Sequence, residues 1–395
     1  MNNVIKNKFS SNLSKIKWNG FFAGFRIFVA IQYVFFKQMG LNYTEIGFLV
    51  GAFFAGMFLF EIPSGVFADY YGRKKSLMIT SLLFIISFTL FGIGNTFFVF
   101  LIANFLQGVG EAFTSGSDEA IIFDSLKQID KEKESSKYFG LKWSFFMYGA
   151  GISSLLSSPI SSIGLHYTFL LSIVPAIISL FFALSIQEPP LSKLISKKQY
   201  LKHFEQSLKY LITHKILKLL LIYIIGIYFT IQVYFQYVQF LLTDIGLPTD
   251  FFGLAYAVII IFCGISSSIA HKIEAIIGKQ KVLFIIPLLL ALALISPALS
   301  FNIATVTFSI LTVEFIFGFN GPILNEHFHK YVESHNRATI VSIKSFIGGI
   351  TVMVFAPVFG RMADIFQYQF MLMILSGILL VVSIPPLLFF LANNH

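Results

Sequence analysis

Charge is scarce in this chain. Only 12% of its 395 residues are Asp, Glu, Lys or Arg, about half the share of an average soluble domain, too few to coat a water-exposed surface. A soluble protein is excluded. Cysteine is nearly absent too: the single Cys263 lies inside an apolar run, which rules out an intramolecular disulfide and a cysteine metal cluster. No Gly-x-x-x-x-Gly-Lys-Ser/Thr loop is present to cradle the phosphates of ATP, and no His-Glu-x-x-His or Gly-x-Ser-x-Gly motif appears. No cofactor and no resident metal are expected; His327, His329 and His335 could hold a stray ion but read as a solvated loop. Residues 1–17 are polar and basic where a signal peptide needs an apolar core, so the N-terminus is expected to be retained.

Apolar residues make up 56% of the chain and aromatics 17%, including 49 phenylalanines, and the mean hydropathy is +0.80. They fall in runs long enough to cross a hydrocarbon core, which takes ~20 helical residues. The runs place twelve spans at roughly 19–37, 44–68, 77–96, 97–120, 139–161, 165–187, 217–242, 250–271, 281–300, 303–325, 338–360 and 368–391. Backbone polar groups must be paired within the bilayer, and the runs are too long and lack the alternation of barrel strands. The expected fold is an all-α integral membrane protein with 12 transmembrane helices.

The basic residues orient it. Of the 28 lysines and arginines, all but Arg26, Lys37 and Arg361 border loops of one parity, the parity that holds both termini. The positive-inside rule therefore puts both termini in the cytoplasm, in an inner (plasma) membrane. The same asymmetry accounts for the net charge of +9 without a nucleic-acid partner, since no stacking aromatics interleave the lysines. The lipid bilayer and a small-molecule substrate are the expected partners, and the chain is expected to act as a monomer.

Two segments repeat at one offset. Gly40-Leu41 followed by Gly47 returns as Gly246-Leu247 followed by Gly253, and Gly72-Arg73-Lys74-Lys75-Ser76-Leu77 returns as Gly278-Lys279-Gln280-Lys281-Val282-Leu283, both 206 residues on. Duplicated bundles are common in transporters. The division is residues 1–187, an N-terminal six-helix bundle; 188–216, a lysine-rich cytoplasmic linker; and 217–395, a C-terminal six-helix bundle. In the linker Leu194, Leu201, Phe204, Leu208 and Leu211 share one helical face and lysines largely take the other, a pattern that suggests an amphipathic helix on the membrane surface; a plain basic tether that only joins the bundles is the leading reading.

The loop after the second span reads Gly65-Val66-Phe67-Ala68-Asp69-Tyr70-Tyr71-Gly72-Arg73-Lys74-Lys75. Gly65 would let a neighbouring helix come close, Gly72 permits a tight turn, and Arg73 could return to Asp69 or to a lipid phosphate. This Gly-x-x-x-Asp-x-x-Gly-Arg-Lys-Lys pattern resembles the signature loop of the major facilitator superfamily, and the twelve spans with a degenerate second copy extend the likeness to the whole chain. The resemblance implies two six-helix bundles that rock around a midplane site, with Gly65, Asp69, Gly72, Arg73 and Lys74 as a cytoplasmic gate. Asp69 would be drawn to the positive N-terminus of the eleventh span, near Arg337 to Ile340. In the fourth span, Asn104 through Gly110 is similar to the family's Arg-x-x-Gln-Gly-x-Gly, but Asn104 replaces the arginine associated with proton coupling in many members. The fifth span, with Gly149, Gly151 and Pro159, lacks the flanked glycine pattern of many drug antiporters.

Ionisable groups inside a bilayer are costly and mark function. At 1.5 Å per residue Arg26, Glu61 and Glu111 lie ~10, ~12 and ~13 Å from the cytoplasmic ends of their spans, and Glu314 lies at a similar depth in the second half. Arg26 could neutralise either Glu61 or Glu111 in a structural pair, but not both. These four are the candidates for proton coupling, with Arg26 taking the positive role vacated at Asn104. Tyr228, Gln232, Gln236 and Gln239 share one face of the seventh span, either as bridges between helices or as a cavity wall. The candidate substrate contacts are Gln32, Tyr33, Asn104, Gln107, Tyr228, Gln232 and Gln236. Proton-coupled efflux of an amphipathic compound is the leading expectation, with import of a nutrient, metabolite or siderophore as the alternative. A membrane enzyme or a non-transporting receptor is a more distant one.

Overall fold

The computed structural model describes residues 3–190, 197–330 and 337–392, and among these it contains helices and turns but no strand. By contact the chain forms two units. The first holds α1 (Asn3–Gly24), α2 (Gln32–Gln38), most of α3 (Tyr43–Tyr71), α4 (Arg73–Ile93), α5 (Phe97–Thr114), α6 (Ser117–Gln128), α7 (Ser135–Ser161) and α8 (Leu165–Ser185). The second holds α9 (Lys197–Thr213), α10 (Lys215–Phe235), α11 (Val238–Asp244), most of α12 (Phe252–Ile277), α13 (Lys279–Leu299), α14 (Ile303–Lys330), α15 (Arg337–Phe366) and α16 (Tyr368–Ala392). Two short stretches cross over: Asn42–Gly47 packs within the second unit and Pro248–Ala257 within the first.

Among the described residues nine helices are long and apolar enough to span a membrane, and a tenth is the bent pair Asn7–Ala30 and Gln32–Gln38. The remaining two expected spans correspond to α7, whose serines and tyrosines dilute its apolar character, and to α14, whose apolar part runs from Ile303 to Phe319.

Three boundaries differ from the sequence reading. Residues 3–17 are not a tail: α1 starts at Asn3, and Leu13 and Ile16 are buried with Leu77, Ile121, Ile122, Leu126, Ala183 and Ile186. Burying such side chains is worth about 1.5–3 kcal/mol each, and Asn12 adds a two-way hydrogen bond to the backbone of Gln187. The first span is broken at Arg26 and again at Ile31, with a 41° bend. The fourth span stops at Thr114; Gly116, at φ +74, turns the chain into the separate helix α6.

The repeat is visible in the backbone. Gly40 and Gly246 have φ of +85 and +82, and Gly72 and Gly278 have +103 and +93. Side chains other than glycine rarely take these values, so the motif glycines are fixed by the turns they make. Within the linker, residues 197–213 form α9, which packs on α10 and α15 with Ser207 and Leu211 buried; Leu194 lies outside the described residues.

Candidate functional site

The site in the first unit is built on the break in the first span. Gly24 lies so close to the carbonyl of Phe146 that α1 and α7 touch backbone to backbone. Beyond it the chain leaves the helix, with Arg26 extended at φ −115 and ψ 96 and a single 3-10 turn from Ile27 to Ala30. The freed N–H of Ile27 donates to the Ser172 hydroxyl at 2.9 Å, the kind of repair a broken membrane helix requires.

Arg26 is held on three sides. Its Nη2 donates to Glu111 Oε1 at 2.6 Å, its Nε donates to the Ala23 carbonyl at 2.9 Å, and its guanidinium carbon stands 4.6 Å from the centre of the Phe84 ring. The two charged side chains are 12% and 26% exposed. Of the two carboxylates in range in the sequence, the structure thus pairs Arg26 with Glu111. Among the described residues, Glu61 receives only the Ser115 hydroxyl, at 3.2 Å. Asn104 and Gln107 are buried inside the unit, and Asn104 donates back to the Phe100 carbonyl. Many of the phenylalanines are core rather than wall: Phe28, Phe35, Phe36, Phe88, Phe91, Phe100 and Phe169 are buried together around the broken span, with ring centres 4.6 to 6.3 Å apart.

In the second unit, the single polar face expected of the seventh span is broken, because α10 ends at Phe235, leaving Gln236 at its C-cap and Gln239 in α11. Gln232 donates to the Tyr228 hydroxyl at 2.9 Å and both are half-buried, while Gln236 and Gln239 are buried in the interior. Gln32 and Tyr33 of α2, in the first unit, are also half-buried. Glu314, in α14, is 9% exposed and makes no hydrogen bond or ion pair among the described residues. Among the described residues no group of three or more His, Cys, Asp or Glu is placed to hold a metal; the side chains of His327, His329 and His335 lie outside the description.

The signature loop is arranged differently from the expectation. Arg73 pairs with Asp124 of α6, not with Asp69. Gly72 begins α4 at φ +103, and the N–H groups of Arg73 and Lys74 donate to the two oxygens of Glu188 at 2.9 and 2.8 Å, a carboxylate at a positive helix end. Asp69 is exposed and has no hydrogen bond or ion pair among the described residues; the side chain of Arg337 lies outside them. Gly65 has open space around it. The close approach expected there occurs instead at Gly56 and Gly108, where a Cβ would run into the carbonyls of Phe105 and Phe53. Lys142 of α7 ties the same region to α6 through Asp118 at 2.6 Å and Glu119 at 3.7 Å. Glu188 was not found from the sequence, because a carboxylate 115 residues from Arg73 carries no local signal of its partner.

Among the described residues, up to ten helices long and apolar enough to cross a membrane, an Arg26–Glu111 ion pair and a turn-forming signature loop, spread over two helical units, are the marks of a membrane transporter. The chain matches the Major Facilitator Superfamily over residues 19–350 and belongs to that family. It is 24% identical over 367 residues, 90% of each chain, to an uncharacterized MFS-type transporter, YxaM, of Bacillus subtilis. It is 27% identical over 195 residues to multidrug resistance protein 2 of the same organism, covering 47% of this chain and about half (48%) of that one. Among solved structures it resembles the nucleoside transporter NupG, with a TM-score of 0.77 at 15% identity over 99% of both chains, and a D-xylose-proton symporter, with a TM-score of 0.76 at 16% identity over 96% of this chain and 97% of that one. The protein is therefore a multi-pass membrane transporter with two six-helix bundles, of the kind that binds small molecules within a lipid bilayer.

Proposed function

We propose that the chain exports an amphipathic compound from the cytoplasm in exchange for protons, by alternating access. The observation that carries this reading is Glu314, a buried carboxyl within the apolar stretch of α14 that has no ion pair among the described residues and has the thiol of Cys263 as its neighbour. Such a group is costly in hydrocarbon as an anion and is suited to taking up and releasing a proton. Glu111 carries the second proton-sensitive position, held by Arg26 until the proton competes for it, with Glu61 elsewhere in the same unit, held by Ser115. The substrate contacts are Gln32, Tyr33, Tyr228 and Gln232, which remain half-buried; Asn104, Gln107 and Gln236 support these from the interior. The names of relatives matching about half the chain, multidrug and quinolone resistance proteins, support efflux.

The working unit of this proposal is a monomer in the bacterial inner membrane. Both termini are cytoplasmic, residues 1–187 and 217–395 form the two halves, and residues 188–216 join them. Gly65, Asp69, Gly72, Arg73 and Lys74 gate the cytoplasmic side. The test uses everted vesicles energised to an acid interior, in which loss of the pH gradient is followed as amphipathic dyes, drugs and then nutrients are added. Substrate-dependent proton release by the native protein, lost in Glu314→Gln and altered in Glu111→Gln, is expected. Silence to every drug, with exchange of a nutrient alone, moves the assignment to import.

A further inference from the structure

The first turn of α3 is capped twice. Its own residues provide one cap: Asn42 Oδ1 accepts from the N–H of Glu45, and Glu45 Oε2 accepts from the N–H of Asn42, both at 2.8 Å. This reciprocal box is a complete local start signal for a helix. It leaves the N–H groups of Tyr43 and Thr44 unserved, as the opening positions of any helix are. Both of those donate to a single carboxylate on α15, Tyr43 to Asp364 Oδ1 and Thr44 to Asp364 Oδ2, each at 2.9 Å, and the Thr44 hydroxyl donates to Oδ2 at 2.5 Å.

The backbones are shaped for this contact. A Cβ on Gly47 would stand 2.5 Å from the Ala356 carbonyl oxygen, and one on Gly360 would run into the carbonyl of Tyr43. Ala356, Gly360 and Asp364 follow at four-residue steps, one face of α15. Beside them the rings of Tyr43, Tyr237, Phe240 and Tyr368 stand 5.1 to 6.3 Å from one another, and the Tyr368 hydroxyl donates to Asp244. All of this lies within the second unit, yet α3 continues from Phe48 in the first. The repeat supplies a counterpart: Gly253, 206 residues after Gly47, would collide with the Ser154 carbonyl, and its N–H donates to the Ser158 hydroxyl at 3.1 Å, within the first unit. That clasp is neutral. Only the one at Asp364 is charged.

We propose that Asp364 is a positioning residue of the transport cycle, whose carboxylate clasps the first turn of α3 in one state and releases it in the other. Because the capping box holds the turn helical by itself, the three donations to Asp364 serve docking rather than folding. Asp364 is exposed, so on release the carboxylate and the two N–H groups meet water. The exchange is reversible, as a gate requires, whereas a buried unpaired charge would block it. The face on which the clasp sits, non-cytoplasmic, rests on the orientation proposed above.

The test is accessibility of a cysteine under the clasp. Ile46, 2% exposed in the docked turn, is replaced in Ile46→Cys on a Cys263→Ser background, and labelling by a membrane-impermeant maleimide is timed in right-side-out and everted vesicles. Asp364→Ala is expected to speed labelling about tenfold, the factor that ~1.4 kcal/mol of state-specific stabilisation represents, with Asp364→Asn in between. Thr44→Val, which removes the hydroxyl donation alone, gives a smaller rise in the same direction and serves if Asp364→Ala does not fold. Unchanged labelling in the variants that fold overturns the proposal. So does an equal rise at Ile121→Cys, a fully buried position elsewhere, because that marks general loosening. Acceleration confined to everted vesicles upholds the clasp and reverses the orientation, which separates the two readings.

Discussion

Removing Glu111 should harm the fold more than removing Arg26, and removing both should harm it less than removing Glu111 alone. In Glu111→Gln the guanidinium stays 12% exposed with one neutral acceptor in place of a carboxylate, and it cannot lose its charge. It keeps the Ala23 carbonyl and the Phe84 ring, so the loss is that of one charge-assisted bond plus part of a desolvation cost, about 3 kcal/mol. In Arg26→Met the orphaned carboxyl at 26% exposure can become neutral by taking a proton, and the cost falls to about 1–2 kcal/mol, including the lost contact with Phe84. The double variant has no buried charge at this position, and Met and Gln fill nearly the same volume. Replacing a buried pair with neutral groups is often close to harmless, so it should recover about 2 kcal/mol relative to Glu111→Gln. The assay is unfolding in mixed micelles under rising dodecyl sulfate, followed by the far-ultraviolet helix signal, for the four proteins of the cycle. Strict additivity, within about 0.5 kcal/mol, would refute the claim that Arg26 and Glu111 act as a pair.

Gly108→Val should destabilise the protein by about 1–3 kcal/mol or more, because the added atoms meet the backbone of Phe53 and Met57, while Gly65→Ala, with nothing within 4 Å, should leave stability unchanged; equal effects in the same micelle titration would contradict the geometry. Asp124→Asn should lower both stability, by about 1.5–3 kcal/mol for a hydrogen bond to a charged group, and transport, since it strips Arg73 of its partner. Asp69→Asn should slow transport in vesicles without a stability change, and an unchanged rate would remove Asp69 from the gate. Glu314→Gln should fold as well as the native protein, because no ion pair among the described residues is lost, yet fail to move substrate against a gradient; uphill transport by this variant would end its role as proton carrier.

Much of this architecture was legible in one dimension because the bilayer imposes a length and a polarity on every span. Runs of apolar residues separated by basic loops gave the helices. The repeated Gly40 and Gly246, Gly72 and Gly278 gave the turns, since a φ near +90 leaves glycine little competition. The boundaries were lost where a local break outweighs hydropathy. At Arg26 the chain leaves the helix inside an apolar run, and at Gly116 a left-handed residue ends α5 before the apolar run ends.

The charges at mid-depth were legible as candidates, because an ionisable residue in hydrocarbon stands out against its neighbours. Their partners were not. Whether Arg26 meets Glu61 or Glu111, whether Arg73 meets Asp69 or Asp124, and whether Asp364 meets anything depend on how helices distant in sequence cross, and each crossing is set by where glycines such as Gly24, Gly108 and Gly360 let backbones touch. Composition and periodicity determined by themselves that this is a twelve-span membrane protein with a repeated signature loop, because one-dimensional rules of length and polarity govern insertion into lipid. Only the tertiary structure decided which carboxylate is paired, which is left alone and which clasps a helix end, because hydrogen bonds reach no further than about 3 Å and the sequence does not measure distance.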